Sequence, residues 1–250
     1  MPTRSDDVIL SVERLTKRGC FDDVSFEIHK GDVFGITGLL GSGRSEIGEA
    51  LFGLTPADSG TIKLNGRQIS IKNIDDGMAN KIAYVPEDRL TQGLFLLRSI
   101  RDNTIAASIK SYFSHGKLDT DAMEKATAGW IEKFSVMTPS SKPPINTLSG
   151  GNQQKVVIAK WLNTNPELVV LNGPTVGVDI GSKAEIHMIL RDLARQGVGV
   201  IIISDDLPEL IENCNRMIVV RGGKVVGEID NTIDQVTLAD MLSGKEVKDA

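Results

Sequence analysis

The stretch that decides the fold of this chain is Gly38-Leu39-Leu40-Gly41-Ser42-Gly43-Arg44-Ser45. It follows an apolar run at residues 33–37 and matches the phosphate-binding pattern G-x-x-x-x-G-K-[ST], except that Arg44 stands at the lysine position. Glycines let backbone N–H groups curl around a phosphate, and a helix that begins near Arg44 adds the positive end of its dipole. Ser45 is the candidate Mg²⁺ ligand. The pattern predicts a strand, a phosphate-binding loop and a helix, in that order.

Apolar runs in the rest of the chain predict further parallel strands. Residues 168–171 and 198–203 are continuous apolar segments like residues 33–37, as expected for strands that are covered on both faces. Between them, apolar residues recur at the spacing of one helix face: Ile186, Ile189, Leu190 and Leu193. The strand–helix–strand order predicts a right-handed βαβ crossover and an α/β fold.

Shorter strands and a helical insertion complete the expected architecture. Residues 24–28 and 61–64 predict a flanking antiparallel sheet, and Arg221-Gly222-Gly223-Lys224 predicts a hairpin between two more strands. The spacing of apolar residues is helical between residues 100 and 134 and breaks at the Ser- and Pro-rich stretch 140–144. We therefore expect one domain over residues 1–250, with a helical subdomain inserted at about 95–150.

Composition narrows the class of protein. The net charge of −5 argues against a basic surface for nucleic acid. Cys20 and Cys214 are too few and too far apart for a disulfide framework or a zinc site, so we expect two inert thiols. Neither a signal peptide nor an apolar run of 18 residues is found, which predicts a soluble chain. If this chain works at a membrane, an integral partner must hold it there.

Two further motifs carry a family resemblance. Leu148-Ser149-Gly150-Gly151-Asn152-Gln153-Gln154-Lys155 resembles the signature of ABC transporter ATP-binding subunits. Leu168-Val169-Val170-Leu171-Asn172-Gly173-Pro174-Thr175 has the frame of their Walker B strand without its two carboxylates. The likeness runs from about Val12 to Met241. It implies a P-loop NTPase fold of the ABC ATPase type: a mixed core sheet, a flanking antiparallel β-subdomain and an inserted helical subdomain.

A third motif narrows the resemblance to one group of importers. Tyr84-Val85-Pro86-Glu87-Asp88-Arg89, followed by Gly93-Leu94, resembles the Q-loop region of monosaccharide and nucleoside importers. There one polypeptide carries two cassettes, and the second usually has Arg in its P-loop and Glu at the Q-loop glutamine. Arg44, Glu87 and the signature residue Asn152 fit that second cassette, of the ribose/galactose/xylose type. The alternative is a naturally separate single-cassette protein.

The resemblance also implies a degenerate ATP site with no intact catalytic residue. Asn172 takes the place of the Walker B aspartate, Gly173 that of the catalytic glutamate and Asp205 that of the switch histidine. An amide brings no charge to Mg²⁺, glycine cannot polarise water, and a carboxylate would repel a γ-phosphate. Loss of a positioned base costs ~10²–10⁴-fold in rate. The nucleotide-binding positions carried over are Gly38, Leu39, Leu40, Gly41, Ser42, Gly43, Arg44, Ser45, Glu46, Glu87 and Asn172.

One alternative stays open at this site. Glu46, Glu87 or Asp179 could stand in for the missing acids. No aromatic residue is available to stack on adenine, because Phe21 is expected to pack in the core.

The intact motif faces a partner in the family. Its residues are Leu148, Ser149, Gly150, Gly151, Asn152 and Gln153. The resemblance implies that the Ser-Gly-Gly turn caps the γ-phosphate of the opposite cassette, through N–H groups at a helix N-terminus. Asp179 resembles the D-loop aspartate, which crosses the same interface. The alternatives are an ordinary helix cap at Ser149 and another at Asp179.

Taken together, the residues and the resemblance predict the nucleotide-binding domain of an importer for a small solute, which we expect to be a monosaccharide. It would bind ATP and Mg²⁺, complete a partner cassette's ATP site in trans and turn over little ATP alone. Expected partners are a second nucleotide-binding domain, integral permease subunits and, indirectly, a solute-binding protein, at the cytoplasmic face of the plasma membrane. The alternatives are a regulatory or structural dimerisation module and a soluble ABC protein that does not transport.

Overall fold

The structure is a computed structural model that describes residues 5–114 and 116–245. Its strands are β1 (Val8–Lys17), β2 (Phe21–His29), β3 (Val33–Gly38), β4 (Ser59–Leu64), β5 (Arg67–Ile69), β6 (Ile82–Val85), β7 (Phe113–Ser114), β8 (Lys117–Leu118), β9 (Leu168–Asn172), β10 (Gly199–Ile203), β11 (Arg216–Arg221) and β12 (Lys224–Asp230). Its α-helices are α1 (Arg44–Phe52), α2 (Ile74–Ala79), α3 (Ile100–Ile105), α4 (Thr120–Lys133), α5 (Gly150–Leu162), α6 (Ile180–Arg195), α7 (Leu207–Asn213) and α8 (Gln235–Ser243).

The chain divides into two compact units. Among the described residues, the first unit contains 5–84, 167–173 and 190–245, and the second contains 85–114, 116–166 and 174–189. Each unit has its own arrangement of elements.

A six-stranded mixed sheet forms the centre of the first unit, in the order β12-β11-β3-β10-β9-β6. Strands β11, β3, β10 and β9 run parallel, whereas β12 is antiparallel to β11. Every residue of β3, β9 and β10 is buried, as predicted for strands that are covered on both faces. The predicted parallel strands are therefore confirmed.

The predicted helix between β9 and β10 is α6. Of the four residues of its apolar stripe, Ile186, Leu190 and Leu193 are buried and Ile189 is half-buried. The hairpin prediction is also confirmed, since Gly222 and Gly223 join β11 to β12 with φ values of 55° and 78°. Two successive residues at positive φ are the conformation that glycine adopts at low cost.

The flanking antiparallel sheet has the order β2-β1-β4-β5. It contains the predicted strands at 24–28 and 61–64, and β1 extends it over ten residues that the apolar pattern did not predict. Leu10 of β1 lies opposite Ile28 and Leu64, and all three side chains are buried. The core of this sheet is thus built from cross-strand apolar neighbours.

The second unit is mainly helical. Helix α3 continues into a 3₁₀ segment, Ala106–Tyr112, within the stretch whose apolar spacing is helical. Ser108 breaks it with φ −115° and ψ 15°. Strands β7 and β8 then form a small antiparallel pair before α4, and no strand was predicted there. Within the described residues no helix is long and apolar enough to cross a membrane.

Candidate functional site

The phosphate-binding loop and the positions that lack acids lie at one edge of the six-stranded sheet. In the parallel register Ile203 lies opposite both Ile36 and Asn172, so β3, β9 and β10 end together. The carboxyl ends of parallel strands are where α/β folds bind their ligands. The loop that follows Gly38, the residue Gly173 and the pair Ser204-Asp205 therefore leave the sheet at the same edge.

The loop itself has the conformation that phosphate binding requires. Gly41 and Gly43 have φ values of 76° and 98°, in the left-handed region that favours glycine. Gly43 is the N-cap of α1, and no side chain caps that helix end. The backbone N–H groups in the first turn of α1 therefore remain available to bind an anion.

The two apolar residues of the loop and the hydroxyls beneath it differ sharply in exposure. Leu39 and Leu40 are 56% and 95% exposed at the tip. The hydroxyl oxygens of Thr37 and Ser42 are buried and have no hydrogen-bond partner among the described residues. Unsatisfied buried hydroxyls are uncommon and are often sites where a ligand or water binds.

Close packing holds the loop in place and explains two of its glycines. The N–H of Gly223 donates to the carbonyl of Ser42 at 2.9 Å. A Cβ on Gly43 would lie 2.5 Å from the carbonyl oxygen of Cys20, and one on Gly38 would lie 2.2 Å from Ser42 Oγ. The loop is therefore pressed between the turn before β2 and the β11–β12 hairpin.

Arg44 folds back over the base of the loop. Its Nη1 donates to the carbonyl of Gly38, and its Nη2 lies 2.9 Å from Asp205 Oδ2. The Arg44 side chain is 8% exposed, whereas that of Asp205 is 65% exposed. The two residues that resemble the P-loop lysine and the switch histidine of the family are thus paired with each other. Ser45 and Glu46 are half-buried in the first turn of α1.

The end of β9 carries neither of the expected acids. Asn172 is 6% exposed, and its Nδ2 donates to the hydroxyl of Tyr84 at 3.4 Å. Gly173 has φ 56°, and its N–H donates to the carbonyl of Ile203 at 2.8 Å. The backbone at Gly173 is left-handed, so that a residue with a side chain would be strained there.

A cleft of about 480 Å³ lies beside the loop. Its lining includes Lys17, Arg18, Cys20 and Gly41. Phe21 also borders the cleft but is only 2% exposed, which confirms the expectation that its ring packs in the core. Cys20 and Cys214 are both free thiols, and burial raises the pKa of Cys214 far above its usual range, as expected for an inert thiol.

In the second unit, the signature residues form the capped start of α5. Ser149 is the N-cap, and its hydroxyl accepts from the N–H of Asn152 at 3.4 Å and from Asn152 Nδ2 at 2.9 Å. The same amide accepts from the N–H of Met137 at 2.9 Å. Gln153 Nε2 donates to the carbonyl of the half-buried Leu148 at 3.0 Å. These side chains fix the loop that leads into the helix and leave Ser149 exposed.

The buried signature glycine is required by packing. A Cβ on Gly151 would lie 2.1 Å from Ser182 Oγ. Asp179 caps the start of α6, because its Oδ1 accepts from the N–H of Ser182 at 3.0 Å and its Oδ2 accepts from the Ser182 hydroxyl at 2.9 Å. These bonds, the backbone one first, hold the pKa of Asp179 below its usual value. Asp179 is therefore the cap of α6, and both of its carboxylate oxygens accept a hydrogen bond.

Three residues of these sites had no role in the sequence prediction. Tyr84 contacts Asn172, Ser182 contacts Asp179, and Arg89 donates to the carbonyls of Val176 and Gly177. Tyr84 and Arg89 had a signal in the sequence, because they begin and end the motif that contains Glu87, which is exposed.

Residues 21–176 match the profile of the ABC transporter family. The chain belongs to this family. It is 42% identical over 225 residues to the galactose/methyl galactoside import ATP-binding protein MglA 1 of Photobacterium profundum, covering 89% of this chain and 45% of that protein. It is 41% identical over 226 residues to the ribose import ATP-binding protein RbsA 2 of Streptomyces avermitilis, covering 90% of this chain and 45% of that protein. The chain spans about half the length of the curated relatives it matches.

Solved structures confirm the fold class of this ABC domain. A nucleotide-free ATP-binding cassette from an ABC transporter superposes with a TM-score of 0.76 at 22% identity, covering 94% of this chain and 95% of that one. A second ATP-binding cassette of an ABC transporter gives a TM-score of 0.81 at 22% identity, covering 95% and 98%. The predicted P-loop fold with a mixed sheet, an antiparallel sheet and a helical subdomain is therefore correct.

The loop of this ABC domain fits the phosphates of ATP better than its surroundings fit Mg²⁺. The uncapped N–H groups of α1 and the unpartnered hydroxyls of Thr37 and Ser42 would hold the phosphates. Ser45 Oγ would ligate Mg²⁺, but Asn172 offers only a neutral amide oxygen and Asp205 already pairs with Arg44. The residues around the loop thus offer several donors for phosphates and one hydroxyl for Mg²⁺.

Proposed function

We propose that this chain is the second nucleotide-binding domain of a monosaccharide importer, with a degenerate ATP site of its own and a signature that completes the partner cassette's site in trans. The observation that carries the proposal is the contrast between the end of β9 and the start of α5. Asn172 and Gly173 offer no carboxylate, whereas Ser149 caps an intact signature turn. A domain with this contrast contributes more groups to the ATP site of its partner than to its own ATP site.

At the chain's own site, the residues would bind the nucleotide and Mg²⁺, and none of them would accept a proton from the attacking water. The loop N–H groups would orient the phosphates, and Ser45 would hold Mg²⁺, which neutralises developing charge during phosphoryl transfer. Gly173 has no group to take a proton from water, and Asn172 leaves the charge on Mg²⁺ unbalanced. We expect phosphate release by the isolated chain to stay near the buffer blank.

On the partner's side, the signature offers backbone donors. Helix α5 begins with two glycines, so neither Gly150 nor Gly151 has a side chain of its own to cover its N–H group. Ser149 is exposed beside them and can donate its hydroxyl to an anion. These groups suit the γ-phosphate of ATP that is bound by a second cassette.

The tandem arrangement and the sugar are supported by the relatives. Those matched are named as ribose, galactose and methyl galactoside import proteins, and each is about twice as long as the matched region. Arg44 and Glu87 are the departures usual in second cassettes of that group. The partners would be the first cassette, permease subunits and a solute-binding protein, with the complex at the cytoplasmic face of the plasma membrane and no nucleic acid involved.

An apolar surface in the second unit suits the permease. Of the four consecutive apolar residues 94–97, Phe95 and Leu97 are 60% and 83% exposed and Leu96 is half-buried, whereas Leu94 is buried. The alternative, that all of these residues pack inside the helical subdomain, does not fit such exposure. If Phe95→Asp leaves the domain folded and its assembly with the permease intact, this docking assignment is wrong.

A second candidate function is a dimerisation module that never engages nucleotide. It would rest on the pairing of Arg44 with Asp205, because the cation that would meet a phosphate already has a partner, whereas the uncapped start of α1 supports nucleotide binding. Equilibrium titration of the chain with Mg-ATP distinguishes the two candidate functions, because a dimerisation module of this kind would not bind Mg-ATP.

The main test compares two variants in the complete transporter. Ser149→Arg places a bulky side chain at the helix N-terminus that faces the partner's γ-phosphate, so ATPase rate and solute uptake should both be abolished. Asp205→Ala alters only the degenerate site and should reduce neither rate severely. Equal losses would mean that both composite sites hydrolyse ATP, and a harmless Ser149→Arg would refute the trans role. Circular dichroism and thermal unfolding show whether each variant is folded.

A further inference from the structure

A single arginine in the second unit connects three segments of the chain. Arg89 begins a π-helical turn, Arg89–Gly93, whose N-cap is Asp88. The Asp88 carboxylate accepts from the N–H groups of Leu90 and Thr91 at 2.9 and 3.3 Å and from the Thr91 hydroxyl at 2.6 Å. The backbone that carries Arg89 is therefore fixed by its own cap.

The other end of this turn is fixed to α5. The carbonyl of Gly93 accepts from Lys160 Nζ, and a Cβ on Gly93 would already lie 3.4 Å from Val157 Cγ2. Lys160 and Val157 are both buried residues of α5. The turn is thus packed on the signature helix and gives Arg89 a firm base.

The guanidinium of Arg89 reaches residues 176–179, which we call the D-loop segment. Nη1 donates to the carbonyl of Val176 at 2.7 Å, and Nη2 donates to the carbonyl of Gly177 at 3.1 Å. The planar fork of arginine can hold two successive carbonyls at once, which the single ammonium of lysine does less well.

The same guanidinium lies against the first residue of α5. A Cβ on Gly150 would be 2.9 Å from Arg89 Nη2 and 3.1 Å from the carbonyl oxygen of Gly177. The D-loop segment, the start of the signature helix and Arg89 therefore meet within contact distance.

Stability of α5 alone does not account for this arrangement. A positive charge at a helix N-terminus opposes the helix dipole and weakens the helix, unless an anion lies nearby. Arg89 Nε is also buried without an acceptor among the described residues, so the side chain is not placed to satisfy all its donors. The arrangement is instead suited to holding two carbonyls in one position.

We propose that Arg89 is a positioning residue that holds the D-loop segment against the N-terminus of α5, so that both elements face the partner cassette at one fixed spacing. The consequence for turnover rests on the trans function proposed above. The contact itself does not rest on it and can be tested on the chain alone.

The first experiment is hydrogen exchange of the chain, measured by NMR. The N–H of Val178 donates to the carbonyl of Thr175 at 3.2 Å and so reports on the turn that Arg89 holds. Because two hydrogen bonds to a charged group are lost, Arg89→Ala should accelerate exchange at Val178 by about 10-fold or more. Arg89→Lys should recover part of the protection.

The matched control is Arg101→Ala. Arg101 lies in the same unit, and its guanidinium pairs with the neighbouring Asp102 at 3.1 Å. This control should leave exchange at Val178 unchanged. Unchanged exchange at Val178 in folded Arg89→Ala, or in Arg89→Gln if the alanine variant does not fold, overturns the proposal.

The second experiment measures ATP turnover by the complete transporter. ATP at the partner cassette binds first to that cassette's own P-loop, and the D-loop segment and the signature of this chain contact it afterwards. Arg89→Ala should therefore lower kcat at least about 10-fold and leave KM for ATP within about twofold. An unchanged kcat in an assembly where Ser149→Arg abolishes turnover overturns the positioning role. A harmless Ser149→Arg would refute the trans function instead, and the exchange result would still decide whether Arg89 holds the D-loop segment.

Discussion

Removal of the carboxylate of Asp205 should tighten nucleotide binding at the chain's own site. Arg44 is the one P-loop side chain with a full positive charge, and its Nη2 is held by Asp205 at 2.9 Å. A phosphate in the loop must share or break that contact before Arg44 can bind it. Asp205→Asn keeps the size of the side chain and removes its charge.

The size of the effect follows from the exposure of the pair. The Asp205 side chain is 65% exposed, so solvent screens the interaction although Arg44 is buried. Ion pairs of this kind contribute up to about 1 kcal/mol, which corresponds to about a 5-fold decrease in Kd. Loss of the repulsion between Asp205 and the polyphosphate acts in the same direction. Both effects should shrink at high salt, because the Debye length falls from about 10 Å at 0.1 M to about 3 Å at 1 M.

The assay is isothermal titration of the chain with Mg-ATP at low and high salt. The matched control is Asp192→Asn, which removes an exposed carboxylate that pairs with Arg195 at 2.5 Å in the same unit. The control should leave Kd unchanged. In an Arg44→Ala background the effect of Asp205→Asn should be smaller, because only the repulsion remains, and the double-mutant cycle measures that difference.

One result would refute this reasoning. If Asp205→Asn at low salt leaves Kd as it is or weakens binding, the carboxylate does not compete with phosphate for Arg44. Weaker binding would mean that Asp205 assists nucleotide binding, and the proposal of a degenerate site would then need another basis.

Three further predictions concern the same molecule. Gly173→Glu should not restore ATPase activity in a phosphate-release assay, since a side chain at φ 56° is strained by about 1–2 kcal/mol and Asn172 remains neutral; turnover near ~1 s⁻¹ would contradict this. ATP and GTP should bind with Kd values within about threefold, because the buried ring of Phe21 cannot provide the ~1–3 kcal/mol of base stacking; a strong preference in competition titrations would count against it. Burial lowers the pKa of Lys160 from 10.5 to about 8, so the unfolded chain binds more protons between those values and stability rises with pH there. Between pH 8 and 10 the unfolding free energy in urea should therefore rise by about 2 kcal/mol relative to Lys160→Met, and parallel pH profiles would refute the shift.

Much of the fold could be predicted from local patterns. Strands β3, β9 and β10 could be predicted from their continuous apolar runs, because a strand buried on both faces needs an apolar side chain at nearly every position. The hairpin at Gly222 and Gly223 could also be predicted, because few pairs of residues other than glycines adopt positive φ at two successive positions. The 3₁₀ break at Ser108 was missed, since the apolar spacing of an α-helix and of a 3₁₀ segment differ little over two turns.

The sequence by itself determined the family, the loop that binds phosphate and the absence of acids at Asn172 and Gly173, because each is a property of consecutive residues. Only the tertiary structure decided what those residues contact. Arg44 and Asp205 are 161 positions apart, and Arg89 is 88 positions from Gly177. Periodicity and spacing describe which face of an element a side chain occupies, but its partner depends on how distant segments pack. For that reason only the folded chain shows that Arg44 pairs with Asp205 and that Arg89 contacts residues 176 and 177.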